Sequence, residues 1–157
     1  VAARKAKLDK IIPDLKVTTT GDKSFKLSEL RGHKVVLYFY PKDNTPGCTT
    51  EGQDFRDAHG KFKRKNTIVL GVSRDSVKSH DNFKAKQSFP FDLISDPDEK
   101  LCNAFDVIKE KNMYGKKVMG IERSTFIIDE KGILRKEFRK VKVAGHVEAV
   151  LEAIKEL

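Results

Sequence analysis

The chain has 157 residues, 32 Lys and Arg against 23 Asp and Glu, a formal net charge of +9, and two cysteines, Cys48 and Cys102. The length suits one domain over residues 1–157, and a chain of this size buries roughly 70% of its unfolded surface without a disulfide or metal staple. Two cysteines exclude a cysteine-dense secreted scaffold and a four-cysteine metal knot, and there is neither an apolar run of about 18 residues nor a signal-peptide pattern.

The elements follow from hydrophobic patterning. Residues 15–19 and 25–27 read as a small peripheral hairpin around Gly21 and Asp22. Residues 35–40, VVLYFY, form a continuous apolar run that stops at Pro41, the mark of a strand buried on both faces. Residues 67–72, TIVLGV, form a second such strand, and 48–65 between them place Phe55, Ala58 and Phe62 on one helical face. A strand–helix–strand unit of this kind predicts a parallel pair. Ser76 caps a helix over 77–87; a short strand (91–94) and a short helix (98–105) follow. Residues 107–120, rich in Lys, read as an exposed loop with at most a turn of helix. Residues 124–129 and 133–139 form a hairpin, and Val147, Val150, Leu151 and Ile154 share one face of a final helix over about 145–156. The sum is an α/β fold: a central mixed β-sheet flanked by helices on both faces, of thioredoxin-like type.

The positive charge is spread along the chain, densest at Lys61, Lys63, Arg64, Lys65 and at Arg135, Lys136, Arg139, Lys140, Lys142. Such a surface attracts polyanions without specificity, but no nucleic-acid-binding motif accompanies it, so a solvated lysine-rich surface is the simpler reading. His33, His59, His80 and His146 are scattered without metal-ligand spacing, and there is no phosphate-binding glycine loop.

Chemistry concentrates in residues 41–51, PKDNTPGCTTE, where a strand ends, a Pro/Gly-punctuated loop turns and Cys48 opens a helix. Free amides and the helix dipole at that position favour a negative sulfur, so a reactive thiolate is expected; the alternative is a packed structural cysteine. Thr45 is either a donor to the sulfur or to a bound oxygen, or a helix cap. Pro41 shields the sulfur or simply ends the strand. Asp43 and Glu51 are placed to tune the local field. Arg123 is expected to begin a strand beside Glu122, and is either a guanidinium beside Cys48, stabilising charge during attack, or half of a surface ion pair. Cys102 reads as a small half-buried hydrophobe, with a redox partner of Cys48 as the second reading. There is no C-x-x-C pair.

These residues resemble the peroxiredoxins. Phe39-Tyr40-Pro41 through Thr45-Pro46-Gly47-Cys48-Thr49-Thr50-Glu51, then Phe55-Arg56-Asp57, Gly71-Val72-Ser73 and residues 120–129 (GIERSTFIID) carry the resemblance, which narrows to the bacterioferritin comigratory protein, or Q-type, subfamily. The resemblance implies a thiol peroxidase in which Cys48 is the peroxidatic cysteine, with Pro41, Thr45 and Arg123 around it, no cofactor and no metal. It implies hydrogen peroxide and organic hydroperoxides as substrates, thioredoxin, glutaredoxin or a small-molecule thiol as reductant, and a cytoplasmic monomer. The two positions at which this subfamily carries a resolving cysteine are Gln53 and Lys84 here, so a one-cysteine mechanism leads, with Cys102 as an unconventional resolver second. A redox sensor on the same fold, with little turnover, is the alternative function.

Overall fold

The apolar run that stops at Pro41 is buried on both sides because it lies inside the sheet, as strand β3 (Lys34–Phe39). The computed structural model describes residues 5–157; the expected single domain also takes in residues 1–4, which lie outside the described part. Before β3 come β1 (Lys16–Thr19) and β2 (Lys23–Lys26). After it come α1 (Pro46–Arg64), β4 (Thr67–Ser73), α2 (Val77–Gln87), β5 (Leu93–Ser95) and α3 (Lys100–Ala104). The chain ends with β6 (Ile108–Met113), β7 (Lys116–Ile121), β8 (Ser124–Ile128), β9 (Leu134–Phe138) and α4 (His146–Lys155).

Seven strands form one sheet in the order β2-β1-β5-β4-β3-β8-β9. β3 is parallel to β4 and β4 to β5, whereas β8 runs antiparallel to β3 and β1 antiparallel to β5. This is the mixed, thioredoxin-like sheet that the patterning predicts. Side chains alternate across it with period two. Val35, Leu37 and Phe39 enter one apolar layer with Leu101, Cys102 and Phe105. Val36, Tyr38 and Tyr40 enter the other, with Cys48, Phe55, Phe62, Phe83 and the α4 residues Val147, Val150, Leu151 and Ile154. The helices are thus unequally shared: α1, α2 and α4 cover one face, and α3 with the incoming N-terminal segment covers the other.

Close approach between α1 and its neighbours depends on missing side chains. A Cβ on Gly52 would lie 2.3 Å from Phe89 Cζ, so the glycine lets the Phe83–Phe89–Phe91 aromatic set press against the helix.

Three expectations change. Residues 107–120 are not a loop: β6 and β7 pair antiparallel as a separate two-stranded hairpin from Ile108↔Ile121 to Met113↔Lys116. Tyr114 and Gly115 form its tip, with φ of +54° and +80°. Positive φ at both central residues is the turn geometry that matches strand twist. The alternation that betrays most strands is absent because the outer part of the hairpin is exposed on both sides, so lysines serve as well as apolar residues. Arg123 does not begin a strand; it lies in the short connection between β7 and β8. Cys102 is fully buried rather than half-buried.

Candidate active site

Cys48 is the third residue of α1, behind Pro46 and Gly47. Proline at the first helical position gives up no hydrogen bond, because that amide has no intrahelical partner. Thr45 occupies the N-cap position, yet its side chain does not cap; its hydroxyl donates instead to the Lys42 carbonyl at 2.8 Å. The first amides of α1 are therefore left without a side-chain acceptor, and the positive end of the helix is open beside the sulfur. Pro41 is half-buried where the chain leaves β3, and Asn44 at φ +63° helps turn it back into α1.

Arg123 reaches this helix start from the opposite side. Its Nη2 donates to Cys48 Sγ at 3.3 Å, and its Nη1 donates to Glu51 Oε1 at 2.6 Å. One planar guanidinium thus bridges the thiol and a carboxylate one helical turn further on. Gly47 makes room for it: a Cβ there would stand 3.2 Å from Nη2. The hairpin of β6 and β7 fixes where Arg123 starts, since the Lys111 amine donates to the Ile121 carbonyl and the Glu122 amide to the Val107 carbonyl. His146 packs nearby against Phe55 and bonds Thr125; burial, and then Arg123, push it down to about 4, so it is neutral near pH 7. Cys48 is 2% exposed, Glu51 is fully buried, and the Glu51 Oε2 and Tyr38 hydroxyl have no partner among the described residues.

Residues 8–137 match the model of the AhpC/TSA family. Peroxiredoxin Bcp of Xanthomonas campestris pv. campestris is 60% identical over 142 residues, which cover 90% of this chain and 89% of that protein. Peroxiredoxin Bcp of Bacillus subtilis is 51% identical over 145 residues, covering 92% of each. The chain belongs to the peroxiredoxins, the AhpC/TSA family. Among solved structures, Xanthomonas campestris peroxiredoxin Q superposes with a TM-score of 0.89 at 55% identity, over 94% of this chain and 98% of that one. The bacterioferritin comigratory protein of Xanthomonas campestris gives 0.87 at 58% identity, over 90% of each. This peroxiredoxin is therefore an enzyme, a thiol peroxidase with a peroxide substrate and a thiol reductant.

Glu51 is the site residue whose partner the sequence hid. Burial pushes its carboxyl up from 4.5 to about 7, outweighing the attraction of Arg123. A carboxyl whose folded-state value is raised contributes stability that is present below pH 4.5 and is lost as pH rises through about 7. The effect is about 3 kcal/mol at roughly 1.4 kcal/mol per unit. Glu51→Gln is expected to abolish that dependence. Denaturant titrations at about pH 4.5 and about pH 8 should therefore show the wild type losing about 3 kcal/mol more than the variant over that interval. Equal losses in the two proteins would mean that Glu51 keeps an ordinary carboxyl in the fold.

The second cysteine is placed quite differently. Cys102 belongs to the apolar layer on the other face of the sheet from Cys48. It too is the third residue of its helix, but there the Asp96 carboxylate accepts the amides of Leu101 and Cys102 at 3.1 and 2.7 Å. Burial, with Asp96 adding to it, pushes the Cys102 thiol far above its ordinary range. Both cysteines are free. Gln53 bonds Gln87 across α1 and α2 at 2.9 Å, and Lys84 pairs with Asp92 at 2.7 Å. His59, on α1, packs against Phe91, while the fully buried His80 bonds Asp43.

Among the described residues, no helix is long and apolar enough to cross a membrane.

Proposed function

We propose that Cys48 is the peroxidatic nucleophile of this thiol peroxidase, acting on hydrogen peroxide and organic hydroperoxides. The observation that carries the reading is the contact of Arg123 with Cys48 Sγ at the open start of α1. The solved Xanthomonas campestris bacterioferritin comigratory protein is described by its alkyl peroxide reduction activity, which supports the organic half of the substrate range.

In the reaction the Cys48 thiolate attacks the terminal oxygen of the peroxide in line with the O–O bond. A new S–O bond forms, the O–O electron pair leaves on the distal oxygen, and a proton converts that oxygen to water or alcohol. Sulfur is oxidised by two electrons to sulfenic acid, and the peroxide is reduced by two. Arg123 and the first amides of α1 stabilise the negative charge as it moves from sulfur to oxygen. Glu51 holds the guanidinium at the angle that reaches the sulfur. Thr45, through its bond to the Lys42 carbonyl, and Pro41 hold the loop.

The sulfenic acid is then consumed by an external thiol: a first thiol forms a mixed disulfide and releases water, and a second restores Cys48. The placement of Cys102 behind the sheet supports this one-cysteine cycle over an internal disulfide. Thioredoxin, glutaredoxin or a small-molecule thiol is the reductant, and the protein works as a single-domain monomer in the cytoplasm.

Intact-mass analysis after one equivalent of peroxide tests the cycle. The expected product is a gain of about 16 Da that persists in Cys102→Ser and is reversed by added thiol. A loss of about 2 Da that vanishes in Cys102→Ser would establish a disulfide between the two cysteines and overturn the one-cysteine reading.

A further inference from the structure

Two acids in this site face one guanidinium. Arg123 Nη2 donates to Cys48 Sγ at 3.3 Å, and its Nη1 donates to Glu51 Oε1 at 2.6 Å. Cys48 is 2% exposed and Glu51 is fully buried, so water screens neither. With both ionised, the closed site would hold two negative charges against a single positive one. Acids that share a buried site in this way do not ionise together: the proton that one gives up is kept by the other.

The groups around Glu51 leave it no second cation. Asp54, further along α1, repels a negative charge there. Tyr38 faces it from β3 with a neutral hydroxyl, because burial holds that group well above its ordinary range. His146, on α4, packs against Phe55 and is neutral near pH 7. The Lys111 amine, on β6, acts on Arg123 and Cys48 and is bonded to the Ile121 carbonyl. Burial already lifts the Glu51 carboxyl to about 7 against the pull of Arg123.

The second oxygen of Glu51 says where the proton sits. Oε1 carries the bond to Arg123, while Oε2 is buried with no partner among the described residues. An unbonded carboxylate oxygen is among the costliest groups to bury, and a hydrogen on Oε2 removes its charge. The sulfur has what Glu51 lacks, the open start of α1, whose free amides favour a negative charge. In the reduced enzyme the single negative charge therefore belongs on Cys48 and the proton on Glu51. Once the sulfur is a neutral sulfenic acid, the guanidinium is left to Glu51 alone, and the carboxyl ionises.

We propose that Glu51 stores the proton of the peroxidase reaction: it is a carboxylic acid while Cys48 is a thiolate, and a carboxylate once peroxide has neutralised the sulfur. The step balances. A Cys48 thiolate, a Glu51 carboxyl and ROOH give a Cys48 sulfenic acid, a Glu51 carboxylate and ROH, with one negative charge before and after. The S–O bond forms, the O–O bond breaks, and sulfur passes two electrons to the peroxide. The proton that Glu51 gives up offsets the one that the leaving oxygen takes. Glu51 touches neither sulfur nor peroxide and acts through Arg123, so it is a positioning residue that also holds a proton. The inference rests on the assignment of Cys48 above, and the two fail separately. Peroxide consumption surviving in Cys48→Ser would sink the assignment, whereas the proton store is judged from the carboxyl itself.

The experiment follows the C=O stretch of protonated carboxyls by infrared difference spectroscopy at about pH 7.5, just above the Glu51 value. The reduced wild type is expected to show a band that Glu51→Gln lacks and that loses most of its intensity on oxidation by hydrogen peroxide. Cys48→Ser, whose uncharged hydroxyl leaves Arg123 to Glu51, should show little of the band from the start. Stopped-flow runs in weak buffer with a pH indicator count protons during the same oxidation. A thiolate oxidised without a proton store takes up about one proton per sulfur, the result expected for Glu51→Gln, and the wild type should take up less than about half a proton. A merely structural Glu51 would move neither the band nor the count. Equal uptake by the two proteins, no carboxyl band in the reduced wild type, or a band that keeps its full intensity in the oxidised protein or in Cys48→Ser overturns the proposal. If Glu51→Gln does not fold, the band in the wild type and in Cys48→Ser decides.

Discussion

Replacing Cys48 by serine is expected to reduce peroxide consumption by at least about 1000-fold while leaving the fold intact. Serine is close to isosteric, and its hydroxyl accepts from Arg123 Nη2 much as the sulfur does, so the ion pair with Glu51 and the start of α1 need not change. What is lost is the nucleophile: a serine hydroxyl stays protonated near neutral pH, and among the described residues no general base bonds to position 48. Arg123 is a donor, and the Glu51 oxygen nearest the site is committed to that guanidinium. The measurement is peroxide loss under excess dithiothreitol, with Cys102→Ser as the companion. Cys102→Ser should keep turnover within about threefold of wild type, since its thiol lies on the opposite face of the sheet, raised by burial and Asp96. Turnover that follows Cys102 instead of Cys48 would reverse the assignment.

The second large effect is expected at Arg123. Arg123→Met removes both the donor to Cys48 and the partner of Glu51, and the second-order rate of sulfur oxidation should fall about 100- to 1000-fold, the usual loss when a preorganised charge is taken from a closed site. Arg123→Lys restores the charge but not the planar pair of donors that spans the thiol and Glu51, so it should recover only about tenfold of the loss. The variant proteins need not unfold: with the guanidinium gone, the buried Glu51 carboxyl moves further up and stays protonated, which limits the cost of leaving it unpaired. Stopped-flow oxidation at limiting peroxide reads this directly. A rate within about threefold of wild type in Arg123→Met would mean that the helix start alone activates the sulfur.

Much of the architecture was readable along the chain because burial imposes a period. The runs at 35–40 and 67–72 could only be strands covered on both faces, and Phe55 with Phe62 could only be one side of a helix. The hairpin of β6 and β7 escaped that logic. Its residues 109–119 have no core to alternate against, and its strand pairing is settled by backbone hydrogen bonds that leave little mark on side-chain choice. The missed hairpin had a cost at the site, since it is what carries Arg123 to Cys48. Glu51 was visible as a charge near the cysteine, but its pairing with a residue 72 positions away was not. The same holds for Asp43 and His80, 37 residues apart and joined only when α2 folds down beside the loop.

The two cysteines show where that boundary falls. By itself the sequence determined that Cys48 opens a helix after a loop resembling a peroxide-reducing site, that Cys102 lies on a short helix, and that no second thiol stands at Gln53 or Lys84 to close an internal disulfide. Helix position and loop composition are local, so they are written in consecutive residues. The tertiary structure alone decided that the first helix start meets a guanidinium and the second a carboxylate. It also decided that the sheet stands between the two sulfurs. Those outcomes depend on charges brought together from distant segments and on which face of a strand each helix covers. Electrostatic fields act through space, and no spacing along the chain reports them.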